Sequence, residues 1–465
     1  MKNSRILIAV CLVVFITLIS NCKNDFLNEK PSTGIVQPKT LEDMVGLLEN
    51  LIFQNNASEL ATMSADEFEY RDYNTWSELG RVVDRNSYIW ATDLYGDQTF
   101  IEEWSKPYTA IFYANTVIVA LDKIVVNQDN IEKYKFTKGW AYFNRAYNYY
   151  ILASTFCKSY DAQTALTDLG LPLKTSPDID VIMQRSNLQE TYNQILQDLN
   201  TAMQLLQNQR TVTEKKTQPS LAAVYAFQAR IYLNMREYVK AELAADNCLA
   251  IYSNLLDYNT ITLPNKRPFT LTNEEVLYAS CTVVAFAGMA TSANNQLIKI
   301  NESLLNLYEP EDLRYKIFFV DGNGRDKVMN RNYLSYGSYG FSGLATDEVY
   351  LIKAECAARN GDFDGSMTVL NKLLKKRFPP SKFKPKQAQS PQQALDISIT
   401  ERRKELVWRG ARWEDLKRLN KEGSNITITR LLNGITYSLL PNDPKYVFPI
   451  PSGEIALSGI AQNLR

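Results

Sequence analysis

Histidine is absent from all 465 residues of the chain. Its absence excludes Ser-His-Asp and Cys-His nucleophile systems, His-ligated metal sites and imidazole acid–base chemistry. A net charge is missing too, with 51 Lys and Arg against 51 Asp and Glu, whereas a nucleic-acid binder normally carries a basic excess. The six cysteines form no C-x-x-C spacing, and neither a metal site nor a cofactor is expected. With 45% hydrophobic residues, 19 Gly and 17 Pro, the composition is that of an ordinary globular chain. It fits neither extended disorder nor a disulfide-dense mini-protein.

Long uncharged runs are lacking except at the start. Lys2 and Arg5 precede an apolar run from Ile6 to Ile19, which matches the n-region and h-region of an export signal and is too short for a comfortable membrane span. The run ends in Leu18-Ile-Ser-Asn-Cys22, which resembles a lipobox, with cleavage before Cys22 and acylation of its thiol. A plain signal peptide cut nearby is the alternative. Removing residues 1–21 takes away Lys2 and Arg5 only, leaving 49 basic against 51 acidic side chains. Cys11 leaves with the signal, so Cys157, Cys248, Cys281 and Cys356 remain. Three of these four fall in helical patterns and read as buried small hydrophobes, although disulfides among them stay open.

Beyond a Pro- and Gly-interrupted tether, apolar residues recur at helical spacing near 40–54, 100–124, 131–156, 187–207, 219–234, 237–251, 346–360, 363–376 and 391–419. Strand-like alternation is scarce, which predicts an all-α scaffold. The segment Ala229 to Tyr238 aligns with Ala354 to Phe363: small residues, a polar turn, then an aromatic. A second amphipathic helix follows each. This pattern resembles the tetratricopeptide helix-turn-helix, with two weaker units expected near Asn144 and at a capping box Ser186-x-x-Gln189. Residues 252–345 differ. Pro264, Pro268, Pro310, Asp321-Gly-Asn-Gly324 and Tyr336-Gly-Ser-Tyr-Gly340 punctuate them, predicting a loop-rich insertion of the kind that carries binding.

The run Glu401-Arg-Arg-Lys-Glu-Leu-Val-Trp-Arg-Gly-Ala-Arg-Trp-Glu-Asp-Leu-Lys-Arg418 resembles the C-terminal signature of the SusD/RagB family of Bacteroidetes-type outer-membrane lipoproteins. Four further segments are similar to that family, in the same order. They are Trp104-x3-Tyr108-x2-Ile111-x3-Asn115, Arg145-Ala-Tyr147, Tyr350-Leu-Ile-Lys-Ala-Glu355, and the tail with Pro449-Ile-Pro451, Glu454-Ile455 and Gln462-Asn463. The resemblance implies a discontinuous tetratricopeptide-like fold, no catalysis, and a role as lid on a SusC-type TonB-dependent transporter that captures glycans or, in some members, peptides. It implies an outer-membrane, lipid-anchored protein facing the cell surface, with residues 1–21 a signal, 22–38 a lipidated tether and 39–465 a single domain. Alternatives are a peptide-capturing or purely structural lid and, more remotely, a secreted hydrolase.

Opposite charges three to four residues apart in Glu401–Arg418 predict helical ion pairs with a structural role, and Trp408 and Trp413 are expected to pack. Sugar recognition needs flat aromatic faces over C–H surfaces and polar groups for the hydroxyls. Trp104, Trp140, Trp408 and Trp413 lie in helical periodicity and read as core; Trp76 and Trp90 do not. The candidates for ligand contact are therefore Asp66, Arg71, Tyr73, Trp76 and Trp90, with Tyr333, Tyr336 and Tyr339 as counterparts from the insertion. Loop packing is the alternative for each, and Tyr88-Ile-Trp90 also reads as a short packed strand.

Overall fold

The repeated pattern around Ala229 and Ala354 takes the same backbone path twice. Arg236 and Gly361, which align with each other, both adopt left-handed conformations, with φ of 63° and 94°. Each such residue closes one helix, and the aligned aromatics Tyr238 and Phe363 begin the next. Buried Ala226, Ala229, Ala241 and Ala245 in one pair, and Ala354, Ala357 and Ala358 in the other, let the helices approach closely.

The computed structural model describes residues 38–465 apart from 213, 266–267, 271, 285–296, 323–325, 331–332 and 334–338. The expected signal, Cys22 and candidate Tyr336 lie outside the described residues. Lys39–Arg465 forms one compact unit. Its scaffold is α-helical. Glu102–Leu121 packs on Ile131–Phe156, which packs on Leu188–Leu205; Leu221–Met235 pairs with Tyr238–Ile251, and Tyr238–Ile251 with Thr346–Arg359. The last of these helices packs in turn on Phe363–Leu374 and Pro391–Glu405.

The helix Ile131–Phe156 is partly exposed in its first turns and buried on nearly every side from Thr137 onward. A Cβ at Gly139 would meet Leu206 Cγ at 2.8 Å, so the neighbouring chain approaches here only because that side chain is missing. No helical unit begins near Asn144; that residue lies well inside this continuous helix. The next helix is capped one residue later than expected: Asn187 and Glu190 form the reciprocal box, rather than Ser186 and Gln189.

The predicted helix over 391–419 is two helices, Pro391–Glu405 and Ala411–Lys421. Trp408 and Gly410 both take positive φ, 58° and 74°, and such residues end a right-handed helix. Trp408 is held in this turn by its backbone N–H, which donates to Glu67 Oε1 at 3.0 Å. Its ring is buried, as is that of Trp413, which stacks on Phe448.

Charged residues of this segment form few pairs within their own helices. Lys404–Glu401 and Arg418–Asp415 are such pairs; the remainder reach across the fold. Arg314 joins Asp312, Glu401 and Glu405 at 2.7, 2.6 and 3.0 Å. Arg377 bridges Glu275 and Glu405, Arg402 holds Asp415, Arg409 holds Asp347 and Arg418 holds Glu355. The segment therefore ties the helices to the insertion through buried, mutually neutralised charges. Other segments of the resemblance make comparable ties: Arg145 donates to Asp198 and to Asn115 Oδ1, the latter at 2.8 Å, and Trp104 Nε1 donates to Glu454 at 3.1 Å.

Between Ile251 and Thr346 the described chain has only short elements. Two of its strands pair with the N-terminal region: Cys281–Thr282 runs parallel to Asn55–Ala57, and Ile298–Ile300 antiparallel to Phe68–Tyr70. The insertion is thus fastened to a segment more than 200 residues upstream. Cys157, Cys248, Cys281 and Cys356 are free thiols.

Candidate functional site

The strand pair Phe68–Tyr70 with Ile298–Ile300 leads into the segment that carries three of the sequence candidates, Arg71, Tyr73 and Trp76. Phe68 and Tyr70 point into the core, with 1% and 4% exposure. Period-two alternation leaves Glu69 on the other face, opposite Lys299 in the register. There Glu69 meets Lys299 at 3.5 Å and accepts from Asn301 Nδ2 at 3.0 Å. Arg71 continues the pairing through its N–H to Leu297 O, at 3.2 Å. Its guanidinium lies 3.4 Å from Asp326, which immediately precedes the strand Lys327–Met329.

Asp72 then caps a short helix, Tyr73–Ser77, by accepting from the Thr75 N–H at 2.7 Å. This helix presents two aromatics. Tyr73 is 42% exposed, and its ring lies 5.6 Å from that of half-buried Trp76 with the planes inclined at 46°. Trp76 rests against the core, and its Nε1–H donates to Arg85 O at 3.1 Å. The strand pair that leads into this helix joins Arg71 to Asp326, and Glu69 to Lys299 and Asn301. The last four were missed at the level of sequence. For Glu69 and Lys299 the signal is the apolar-polar-apolar triplet shared by Phe68-Glu-Tyr70 and Ile298-Lys-Ile300, which gives no indication that the two triplets pair.

Three other candidates are part of the core. Asp66 accepts from Arg412 at 2.7 and 2.9 Å and from Arg403 at 3.1 Å. Burial would raise its pKa, but the two guanidiniums outweigh that and hold it well below the carboxylate range. Both of its oxygens are engaged by the scaffold. Trp90 is 1% exposed, donates to Ser64 O at 3.0 Å and has the Arg430 guanidinium 4.6 Å from its ring centre. It follows the helix Val82–Tyr88 in a left-handed turn and is in no strand. Tyr333 is 5% exposed, donates to Glu275 and lies beneath Arg409 at 4.2 Å, flanked by Phe269 and Phe341. Tyr339 remains on the surface at 37% exposure.

Among the described residues, no group of three or more Cys, Asp or Glu is placed to hold a metal ion. None of their helices is long and apolar enough to cross a membrane.

Comparison with known proteins bears on the scaffold. A family model described as "Starch-binding associating with outer membrane" matches residues 25–233, and the model of the SusD family matches residues 346–464. No curated protein matches the chain. Among solved structures, a SusD superfamily protein of Bacteroides thetaiotaomicron superposes with a TM-score of 0.74 at 21% identity, over 92% of this chain and 100% of that one. A SusD-like carbohydrate binding protein of Bacteroides vulgatus gives 0.68 at 18% identity, over 91% and 97%. A SusD superfamily protein of Parabacteroides distasonis gives 0.68 at 14% identity, over 91% and 98%. At these identities the likeness to the solved structures establishes a shared fold.

Proposed function

Because this chain belongs to the SusD/RagB family, we propose that it is an outer-membrane lipoprotein, anchored through Cys22, that binds an oligosaccharide and delivers it unaltered to a SusC-type TonB-dependent transporter. In this reading residues 1–21 are the export signal, residues 22–38 the tether that holds the protein at the outer leaflet, and residues 39–465 the one folded domain. The observation that carries the reading is the Tyr73–Trp76 pair: two inclined rings, one half-buried and one exposed, on a helix that directly follows a strand pair bearing charged and amide side chains. An inclined aromatic pair covers the C–H face of a pyranose and its neighbour, and carboxylate, guanidinium and amide groups serve the hydroxyls. Tyr339 and Tyr336 of the insertion are the further aromatic contacts of this reading.

The test is a glycan-binding screen on the full chain purified in detergent, followed by Trp76→Ala against whichever oligosaccharide binds. An indole stacked on a sugar buries apolar area worth about 1–3 kcal/mol. The substitution is therefore expected to weaken binding roughly 10- to 100-fold. Binding of peptides with no glycan recognised, or unchanged glycan affinity in Trp76→Ala, overturns the reading. Anchoring is tested separately: Cys22→Ser is expected to move the protein from the membrane to the soluble fraction, because stable anchoring requires the acyl chains.

A further inference from the structure

A second concavity, of about 410 Å³, opens beside the C-terminal end of the Ile131–Phe156 helix. None of its lining residues belongs to the Tyr73–Trp76 surface. Its apolar wall includes Leu169, Pro444 and Val447, and it carries three lysines, Lys158, Lys417 and Lys421, against two aspartates, Asp168 and Asp443. Its size falls within the range of small-molecule sites.

Lys417 distinguishes this cavity from an ordinary surface dimple. It is 7% exposed, and its ammonium donates to the backbone oxygens of Ser154 and Cys157, at 2.9 Å each. The other buried cations of the same segment, Arg402, Lys404, Arg409, Arg412 and Arg418, each have a carboxylate within ion-pair distance. Among the described residues Lys417 has none. An ammonium has three donors, and two of them serve the end of the helix. That end carries only about half an elementary negative charge, so it offsets the buried cation only in part. Burial accordingly pushes the amine down to about 8, even with Glu414 nearby. Lys421 is held loosely, 3.6 Å from Asp161, and Lys158 pairs with Asp168 at 2.7 Å while remaining largely exposed.

We propose that this cavity binds a carboxylate carried on a compact, partly apolar body, with Lys417 beneath the charge, Lys421 at its side, and Leu169, Pro444 and Val447 against the body. Such a carboxylate belongs either to an acidic sugar or to the C-terminal residue of a short peptide. The experiment titrates the full chain in detergent with D-glucuronate and N-acetyl-L-leucine, using D-glucose and N-acetyl-L-leucinamide as neutral counterparts. At least one acid is expected to bind, with its neutral counterpart at least about 10-fold weaker. Binding of glucuronate alone assigns the site to acidic glycans, and binding of the acyl amino acid alone to peptide termini.

Lys421→Gln is expected to weaken the acid about 3- to 10-fold with an unchanged melting temperature. Leu169→Trp, at the exposed rim, is expected to block the cavity by bulk while leaving the Lys417 cap in place. The proposal is overturned if neither acid binds, if the neutral compounds bind equally well, or if both variants behave as wild type. Trp76→Ala is expected to bind these probes unchanged. Loss of binding in that variant would assign the acids to the other surface and overturn the proposal, so the two sites fail independently.

Discussion

The signature segment Glu401–Arg418 and the surface built on Arg71–Ser77 contain the same kinds of residue, arginine, carboxylate and tryptophan, arranged to opposite ends. In the signature nearly every charge is buried and has its counter-charge inside the fold: Arg402, Arg409 and Arg418 are matched by carboxylates, and Glu401 and Glu405 by Arg314 and Arg377. Around Tyr73 and Trp76 the pairs are longer and wetter. Arg71–Asp326 spans 3.4 Å with the acid 40% exposed, and Glu69–Lys299 spans 3.5 Å with both side chains near 40%. Residue type therefore does not separate structure from recognition here. Whether the partner is internal does.

The most severe way to break this contrast is to remove a cation from the interior. Arg314 has no exposed surface and faces three carboxylates. Arg314→Met leaves Asp312, Glu401 and Glu405 with a buried charge imbalance, a loss of about 3–5 kcal/mol for a single broken buried pair. Urea unfolding of the variant is expected to show that loss or outright failure to accumulate. A change below about 1 kcal/mol would mean that the network is far more solvated than its burial indicates.

The two tryptophans outside helical periodicity provide the next test. Trp90→Ala empties a site enclosed by the core and the Arg430 guanidinium, so a stability loss of about 3–5 kcal/mol is expected. Trp76→Ala is expected to lose less, because its ring is only half-buried, and to show its main effect in glycan affinity. Thermal melts and calorimetric titrations of both variants separate core from platform. Equal melting losses would erase the distinction.

What could be read from the sequence follows the range of the interactions involved. Helices were legible because periodicity and capping are local; even the shared left-handed turn of Arg236 and Gly361 reflects a pattern visible in the aligned segments. The 391–419 run was read as one helix because a left-handed Trp408 carries no sequence signal, unlike the glycine two residues on. Trp90 and Tyr333 were candidates for ligand contact, with packing as the alternative, because they lie outside regular helices. Arginines 340 and 76 residues away, Arg430 and Arg409, cover their faces. Asp66 was misread for the same reason, its partners being Arg403 and Arg412. The Tyr73–Trp76 pair could be proposed from composition, but its polar neighbours could not, since they arrive through a strand pair spanning more than 200 residues.

A pH-dependent effect is expected where buried carboxylates cluster without full pairing. Glu59 has no exposed surface, and burial raises its carboxyl to about 8, reinforced by nearby Glu103 and Asp84 and opposed by Thr282 and Arg81. The folded protein then binds a proton that the unfolded chain, with an ordinary carboxyl near 4.5, has released. The stability associated with this proton is full below about pH 4.5 and is lost as pH rises toward 8, at no more than about 1.4 kcal/mol per pH unit. Glu59→Gln is expected to flatten the fall in melting temperature between pH 5 and 8. A residual slope remains, because Glu103 and Glu67 are also raised, to about 6 and about 7. An unchanged profile would place the sensitivity elsewhere.

The smallest stability effect belongs to the face where recognition is proposed, and it sharpens the contrast from the other side. Asp326 is 40% exposed and meets Arg71 at 3.4 Å, a geometry in which an ion pair contributes about 0–1 kcal/mol. Asp326→Asn keeps the shape and one acceptor oxygen but removes the charge, so the melting temperature is expected to stay within a degree or two. If the carboxylate accepts from a sugar hydroxyl, the variant loses the charge-assisted part of that bond, about 1 kcal/mol, or roughly a fivefold loss of affinity. The same substitution relaxes Arg71, which salt can mimic in wild type by screening the pair. Titrations at low and high salt therefore distinguish the two contributions: a loss that persists at high salt reports direct contact of Asp326 with the glycan. A loss that disappears there reports only the altered placement of Arg71, and the acceptor role passes to Glu69 or Asn301 on the paired strand.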